Sequence, residues 1–455
     1  MSNITQNGGI IYIQQSGNDI QYQSNSTSGV WTNITSFPVT IVNSNPVVGN
    51  ILTISIITNI TIIIATGYFI CGSSYITFDG TGKTITIANV SAYLGLIQNG
   101  SFTTNGYHAI TVKNINSAAT NSFLRSSSGG IRAGWICGPY FGINIKNISG
   151  YVAITVDNCS NSGIVNNSAT VNSGLYNGGI CGIGFCRNGV GNISNCSNSG
   201  VISGNQAGGI CAYSTGENGG TVSITNCLNS GVISGNLAGG ICGLLAGQNN
   251  GTVSITNCSN SGVISGNQAG GITGSFFGGY SNNLCSIINS YNTGAINGNN
   301  AGGITGAGVG FNNNLPNYIP KILIQNCYSL GNIASTAGGI CGGTDSRVYT
   351  NTPIVNITNC YTVYDSIADS DSQYIATSLP IKNSIILTNV YSSLTNAWSD
   401  TNASSALSGA LNIYRNSRLY KYYSNFGEVW YSNQNNTPFS FTSDLDNVPR
   451  RQRRD

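Results

Sequence analysis

Charged side chains are scarce in this sequence: they make up 6% of its 455 residues, and Met and His occur once each. Disordered chains combine low hydrophobicity with high net charge, whereas 40% of the residues here are apolar. These apolar residues recur in short β-branched runs. The composition therefore excludes a disordered chain and predicts a folded, mainly β protein.

The few charges are balanced over most of the chain. The formal net charge is +3, and the C-terminal "RRQRRD" alone holds four of the sixteen Lys and Arg residues. Without residues 450–455, twelve basic and twelve acidic side chains remain. A neutral body offers no basic face to nucleic acid, so we expect the body to bind none.

A secretory signal and a continuous apolar span are both missing. The opening "MSNITQNGGI" is polar and lacks the basic start and apolar stretch of a signal peptide. The most apolar run, residues 51–72, is interrupted by Ser, Thr or Asn. Polar side chains are unfavourable in the hydrocarbon core of a lipid bilayer. The run therefore predicts buried strands and no membrane span.

Repetition is what the sequence has in abundance. "NCSNSGVISGNQAGGI" occupies residues 195–210 and again 257–272, and a copy with two differences occupies 226–241, which gives a period of 31 residues. An Asn-Cys step begins at Asn158, Asn195, Asn226, Asn257, Asn326 and Asn359, and Asn289-Ser290 fills the gap. The pattern predicts seven consecutive repeat units.

Each unit contains three short groups of apolar residues, which are separated by segments that contain Gly and Asn. In residues 221–251 these groups are Val222 with Ile224, Val232 with Ile233, and Ile241 with Leu244. Short strands that end at residues tolerant of left-handed angles form a coil of three parallel sheets. We predict an all-β fold, a right-handed parallel β-helix solenoid with turns of about 31 residues and capping ends. A propeller is the rival, but its blades need about 40 residues or more.

The repeats also suggest domain boundaries. Caps are expected at both ends because the end strands of a solenoid expose unpaired edges. Residues 399–411 predict a short helix, and the aromatic segment 414–431 is either a cap or a docking surface. The predicted segments are an N-terminal cap at 1–50, the β-helix at 51–365 with repeats clearest at 130–361, a C-terminal cap at 366–447, and a basic tail at 448–455.

The motif "AGGICG" preceded by "NSGVISG" resembles the GLUG-type repeat of β-helical surface and adhesin-like proteins. The stretch "YFICGSSYITFDGTGKTITI", residues 68–87, is similar to the lead-in of repeat proteins of large amoeba-infecting DNA viruses. The resemblance implies a structural or surface-interaction protein on a virion or particle surface, and it supplies no catalytic residues. Its implied partners are other capsid or surface proteins and host glycans. A bacterial cell-surface protein is the alternative, and homo-oligomerisation is left open.

Cysteines recur at two places in the unit. The first set is Cys159, Cys196, Cys227, Cys258, Cys327 and Cys360, and the second is Cys137, Cys181, Cys211, Cys242 and Cys341. Thr273 stands where Cys258 would need a bonding partner, which favours stacked, reduced thiols in the core. Disulfides formed after release into an oxidising medium are a second interpretation. Zinc is a third, although the fifteen-residue separations do not suit it; no cofactor is predicted.

The asparagine of the Asn-Cys step forms a further predicted ladder. An amide carries donors and an acceptor, so identical Asn side chains on successive turns can hydrogen-bond along the axis. We expect this ladder to stabilise the turns without binding a ligand. Its members are Asn195, Asn226, Asn257, Asn326 and Asn359.

Candidate catalytic residues are few. Between residues 148 and 320 the charged residues are Asp157, Arg187 and Glu217, and we interpret them as occupying unlike places in their repeats. This predicts no catalytic activity; a glycan-active β-helix enzyme, a polysaccharide lyase or hydrolase, is the alternative. The pair of Asp79 and Lys83 in "DGTGK" predicts a hairpin turn, and the single His108 is expected to be structural.

The chain ends in a basic tail after Val448-Pro449. Like charges so close together repel one another and favour a solvated segment. The tail is a candidate tether to an acidic surface; a tail without a partner, a protease site and a nuclear-import signal are the alternatives. The candidate tether residues are Arg450, Arg451, Arg453 and Arg454.

Overall fold

The computed structural model describes residues 2–124, 132–165, 176–311, 318–334, 336–343, 354–362 and 385–392. These residues are nearly all β, with a single 3-10 turn at Ile145–Asn147. Parallel strands stack into a β-solenoid of about ten turns spaced by about 33 residues. The prediction of an all-β parallel solenoid is confirmed, and the spacing exceeds 31 because some turns carry insertions.

The strands are short, and most have alternate side chains buried. The strands of the first part are β1 (Ser2–Gln6), β2 (Gly9–Ser16), β3 (Asp19–Ser24), β4 (Thr32–Asn33), β5 (Val39–Asn43), β6 (Leu52–Ile56), β7 (Ile60–Ile62), β8 (Phe69–Cys71), β9 (Ile76–Asp79), β10 (Thr84–Ala88), β11 (Ile97–Gln98), β12 (Ile110–Lys113) and β13 (Asn116–Thr120). The remaining strands are β14 (Ile154–Asp157), β15 (Ser160–Asn161), β16 (Val190–Ser194), β17 (Ser197–Asn198), β18 (Thr221–Thr225), β19 (Leu228–Asn229), β20 (Thr252–Thr256), β21 (Ser259–Asn260), β22 (Leu284–Ile288), β23 (Tyr291–Asn292), β24 (Lys321–Gln325), β25 (Tyr328–Ser329), β26 (Ile354–Thr362) and β27 (Ile385–Ser392).

Three parallel ladders contain the strands of the described residues other than the antiparallel β3 and β4, and single parallel bridges form two more, from Val165 to Ile333 and from Gly134 to Gly338. The first joins β2, β6, β9, β12, β14, β16, β18, β20, β22, β24, β26 and β27 in that order. The second joins β7, β10, β13, β15, β17, β19, β21, β23, β25 and the end of β26. The third begins as β1, β5, β8 and β11 and continues as single bridges through Cys137, Cys181, Cys211 and Cys242.

The N-terminal end differs from the middle of the coil. Parallel stacking already begins inside residues 1–50, where β1 pairs with β5 and β2 pairs with β6. The other edge of β2 pairs with the antiparallel strand β3, which in turn pairs with β4. This hairpin covers an edge that would otherwise present unpaired backbone groups. At the other end, the predicted C-terminal cap lies outside the described residues apart from β27, and the basic tail lies wholly outside them.

The apolar run at residues 51–72 forms β6, β7 and β8, and alternate residues of each strand are buried. The prediction of strands is confirmed. In the described part of the chain, no helix has the length and apolar character needed to cross a membrane.

The main apolar core runs along the coil from Ile4 to Cys360, and a second buried apolar cluster extends from Val165 to Ala337. The largest fully buried side chains of the main core include Trp135, Tyr93 and Phe78. Burial of apolar surface contributes roughly 25 cal/mol per Å², so the inward β-branched residues of every turn add to the stability of the stack.

Most repeat units also carry a Gly-Gly-Ile sequence, here called the Gly-Gly-Ile mark, as at residues 208–210 and 239–241. Close packing requires its first glycine. Neither Gly208 nor Gly239 has a left-handed φ. A Cβ at Gly208 would collide with the carbonyl oxygen of Cys211, and a Cβ at Gly239 would collide with that of Cys242. A close contact with a carbonyl oxygen, and not a positive φ, therefore explains glycine at these two positions.

The hairpin predicted at "DGTGK" is wrong. Strand β9 pairs with β6 and β12, whereas β10 pairs with β7 and β13, so the two strands do not pair with each other. The segment is a corner between two ladders, in which the Thr81 N–H donates to Oδ1 of Asp79 at 2.9 Å. Lys113, on the next turn, forms the ion pair with Asp79 at 3.3 Å.

Candidate functional site

The asparagine of the Asn-Cys step serves the backbone. Asn195, Asn226, Asn257 and Asn326 have φ between 52° and 55°, a left-handed conformation that Asn tolerates better than most residues. Asn195 and Asn226 are exposed, whereas Asn257 and Asn326 are half-buried. The side chains also meet along the axis: the Asn226 amide donates to Oδ1 of Asn195 at 3.4 Å, and that of Asn257 to Asn226 at 3.4 Å. Asn359 belongs to β26 by its backbone; its side chain is outside the described set.

A second asparagine ladder, which the sequence reasoning missed, lies in the interior. Each of its amides donates to the next at 2.6–2.8 Å and also to a glycine carbonyl two residues later at 2.8 Å. The signal was the Asn of "NSG" or "NTG", which lies three places after the asparagine at positions 158, 195, 226, 257 and 289. The ladder residues are all buried: Asn161, Asn198, Asn229, Asn260 and Asn292.

All fourteen cysteines are free and buried. Each thiol of the first cysteine set donates to the carbonyl two residues earlier at 3.2–3.4 Å. The cysteines of the second set lie opposite one another in single parallel β-bridges on successive turns, and Thr273 and Thr305 take the place of cysteine on two of these turns. Burial raises the pKa of Cys285 to about 11 and that of Cys341 to about 12. Within the described ranges, no group of three or more His, Cys, Asp or Glu residues could hold a metal ion.

Arg187 and Glu217 meet on successive turns, at 3.7 Å between Nε and Oε2. The interpretation that they occupy unlike places was wrong: each lies six residues after the cysteine of its Gly-Gly-Ile-Cys mark, Cys181 or Cys211. The shared position is not apparent when residues are counted from the Asn-Cys step. The turn that contains Arg187 has extra residues between its Asn-Cys step and its Gly-Gly-Ile-Cys sequence. Asp157 does not join them; it accepts hydrogen bonds from Ser194 and Asn195.

The ion pair borders a groove of about 370 Å³ at one corner of the coil. Its lining residues are Phe102, Ile143, Asn144, Arg187, Asn188 and Asn218. The Phe102 ring is 63% exposed, rests against Tyr140 at 5.4 Å between centroids, and lies 5.2 Å from the guanidinium carbon of Arg187. We call this feature the corner groove.

Polar contacts hold the walls of the corner groove in place. With its amide oxygen facing Arg187, Asn218 accepts from Nη2 at 2.6 Å and from Nε at 2.9 Å. Asn188 donates to Oδ1 of Asn144 at 3.2 Å, and Asn249 donates to Oε1 of Glu217 at 3.4 Å. The guanidinium is thereby fixed between a carboxylate, an amide and an aromatic ring.

Burial raises the pKa of Glu217, although Arg187 and the Asn249 amide act in the opposite direction. Burial likewise raises the pKa of Tyr140. Glu217 is linked to the corner groove through its ion pair with Arg187, which is one of the lining residues.

Aromatic and cationic side chains continue along the same corner. The guanidinium carbon of Arg132 lies 3.8 Å from the ring centroid of Tyr176, and Tyr176 packs against Tyr213 at 4.7 Å. His108 has other neighbours. The Val152 N–H donates to its Nδ1 at 3.3 Å, and its ring packs edge-on against Tyr75.

No protein-family model, curated protein or solved structure matches the chain. Its function therefore has to be inferred from its own residues. The ladders and the corner groove are the two features with a chemical content beyond core packing.

Proposed function

We propose that the chain is a structural, adhesin-like surface-interaction protein without catalytic activity and a component of a large DNA virus particle. The observation that carries the structural role is the buried asparagine ladder from Asn161 to Asn292, whose amides join successive turns at 2.6–2.8 Å. The GLUG-like motif and the lead-in at residues 68–87 support the placement on a virion.

A buried amide ladder suits a rod that must keep its shape. In a solenoid each turn contacts its neighbours, so the stability of the whole is a sum over adjacent interfaces. Hydrogen bonds in a low-dielectric interior are strong when every group is paired. The ladder pairs each amide with the next turn and with its own glycine carbonyl, which resists separation or sliding of turns.

The proposed partners follow from the outer faces. The body is nearly uncharged and presents Ser, Thr and Asn side chains, which suit other capsid or surface proteins. The corner groove suits host glycans. No cofactor is part of the proposal.

Purified particles provide the test. Quantitative mass spectrometry should find the chain at an abundance comparable to known particle proteins, and surface biotinylation of intact particles should label it. A viral enzyme confined to the infected cell is the control for contamination. If the chain co-purifies no better than that control, the virion assignment is wrong.

A glycan-active enzyme is the second candidate, favoured by the raised pKa of Glu217 beside Arg187. A carboxyl group that stays protonated can serve as a general acid. The protein should be incubated with neutral and uronate-containing polysaccharides, and new reducing ends and unsaturated products measured. We expect no turnover; turnover that disappears in Glu217→Gln would replace the structural proposal with an enzymatic one.

A further inference from the structure

We infer that the corner groove binds an uncharged polyhydroxyl ligand, a pyranose ring of a neutral glycan. This inference rests on the proposed surface-interaction function and names the ligand class for it. The groove volume of about 370 Å³ falls within the range of small-molecule sites.

The aromatic wall favours a ring with an apolar face. Phe102 is 63% exposed, although it is held from behind by Tyr140 and from the side by Arg187. An exposed but fixed aromatic ring provides a flat apolar surface at little cost in conformational entropy. The C–H face of a pyranose matches such a surface.

The polar wall favours hydroxyl groups. Asn144, Asn188 and Asn218 come from three successive turns, so their amides follow the strand spacing of roughly 4.8 Å. Each amide carries two donors and an acceptor, and a hydroxyl group both donates and accepts. A row of amides therefore matches a row of ring hydroxyls better than it matches a purely accepting or purely donating ligand.

The charges of the groove select against ions. Arg187 and Glu217 compensate each other at 3.7 Å, and their side chains are 23% and 15% exposed. The Arg187 guanidinium lines the groove, whereas Glu217 is not among the lining residues and reaches the groove through its pairing with that guanidinium. A cationic ligand would be repelled by the guanidinium, and an anionic ligand would compete with the carboxylate already paired to it. A neutral polyol can accept hydrogen bonds from the guanidinium without displacing that ion pair, and hydrogen bonds to charged groups are the stronger kind.

The site interrupts the repeat. At the place of Arg187 and Glu217 the next two turns carry Gln248, which is buried, and Gly279. Natural sequences depart from a locally consistent pattern mainly at functional or strained sites. The charged pair is thus confined to the turns that line the groove, as a binding site requires.

Binding can be measured by isothermal titration of the full chain with neutral trisaccharides: maltotriose, cellotriose and mannotriose. Sialyllactose and a glucosamine trimer are the anionic and cationic comparisons. We expect at least one neutral trisaccharide to bind with one site per chain. Phe102→Ala and Arg187→Gln should each weaken it by about tenfold or more, whereas Asn236→Ala, an exposed amide on another ladder, should not.

Phe102 is largely exposed, so the Phe102→Ala variant should keep the circular dichroism spectrum and urea midpoint of the unsubstituted protein. The inference is overturned if no neutral trisaccharide binds, if an ionic probe binds more tightly than all neutral ones, or if Phe102→Ala binds as well as the parent. A protein that binds no neutral sugar can still be incorporated into particles, and a protein absent from particles can still bind sugar. Failure of the groove inference and failure of the proposed function are therefore distinguishable.

Discussion

A single residue type, asparagine, has three separate physical uses within one turn. Asn226 adopts a left-handed φ of 55°, Asn229 joins the buried ladder, and the exposed Asn236 accepts from the N–H of Asn267 at 3.0 Å. Asn suits all three because it tolerates positive φ and carries both donors and an acceptor. Its abundance in the sequence therefore reflects position-specific requirements in these turns.

Replacing Asn229, which is buried, should lower the free energy of unfolding far more than replacing Asn236, which is exposed. Asn229→Ala removes donors to Asn260 and Gly231 and leaves the Asn198 amide without its acceptor. We expect the free energy of unfolding to fall by about 2–4 kcal/mol. The matched control, Asn236→Ala, should cost less than about 1 kcal/mol. Urea denaturation measures both, and equal costs would show that the interior ladder is not a main source of stability.

Close packing at Gly208 gives a second residue-scale prediction. Gly208→Ala places a methyl group against the Cys211 carbonyl, so we expect a loss of about 1 kcal/mol or more. Gly219→Asn is the control, because Gly219 has open space around it and a φ of +79°, which Asn tolerates. The comparison is a pair of urea midpoints; a Gly208→Ala midpoint at or above that of Gly219→Asn would refute the packing explanation.

At the scale of the element, the thiol ladders act as apolar stacks. Thiols are small, weakly polar groups that pack well in a core, and here each first-set thiol also finds a carbonyl acceptor two residues earlier. Burial disfavours the thiolate and therefore raises the pKa, as at Cys285 and Cys341. Cys341, of the second set, and Cys285, which belongs to neither set, should therefore remain protonated at neutral pH, at which they contribute packing without charge.

This predicts a loss of stability at alkaline pH. The Cys285 thiol ionises near its ordinary value of 9.0 in the unfolded chain and at about 11 in the folded protein. Its contribution is therefore complete below pH 9 and is lost as pH rises from 9 to 11, by up to ~1.4 kcal/mol per pH unit. Urea unfolding between pH 7 and 11 should show the stability gap between parent and Cys285→Ala narrowing over that interval. A gap independent of pH would contradict burial of this thiol.

At the scale of the whole molecule, the body is a coil with few charges, and the ion pairs of its described part are Lys113 with Asp79 and Arg187 with Glu217. The antiparallel strand β3 covers the outer edge of β2 at the N-terminal end. The ladders extend from there to β27 without a change of direction. Under the proposed function, we assign recognition to positions where the repeat is broken, such as the corner groove.

The basic tail can be tested on the full chain. Deleting residues 450–455 removes four Arg and should leave the urea midpoint unchanged, because like charges this close together favour a solvated segment. If the tail tethers the protein to an acidic surface, the deletion should lower retention on purified particles at low salt, since each contact releases counterions. Equal retention of both forms, with equal release by salt washes, would remove the tether from consideration.

The sequence by itself determined the period, the parallel coil and the repetition of Cys and Asn at fixed places. A strict 31-residue copy puts the same residue type on every turn, so local chemistry and stacking agree without further information. The tertiary structure alone decided which asparagines are buried and that Arg187 meets Glu217. Insertions change the number of residues between the Asn-Cys step and the Gly-Gly-Ile sequence of a turn. Backbone pairing nevertheless places Cys181 opposite Cys211 on the next turn. Contacts between unrepeated residues, such as Phe102 and Arg187, depend on that stacking register and on no local pattern.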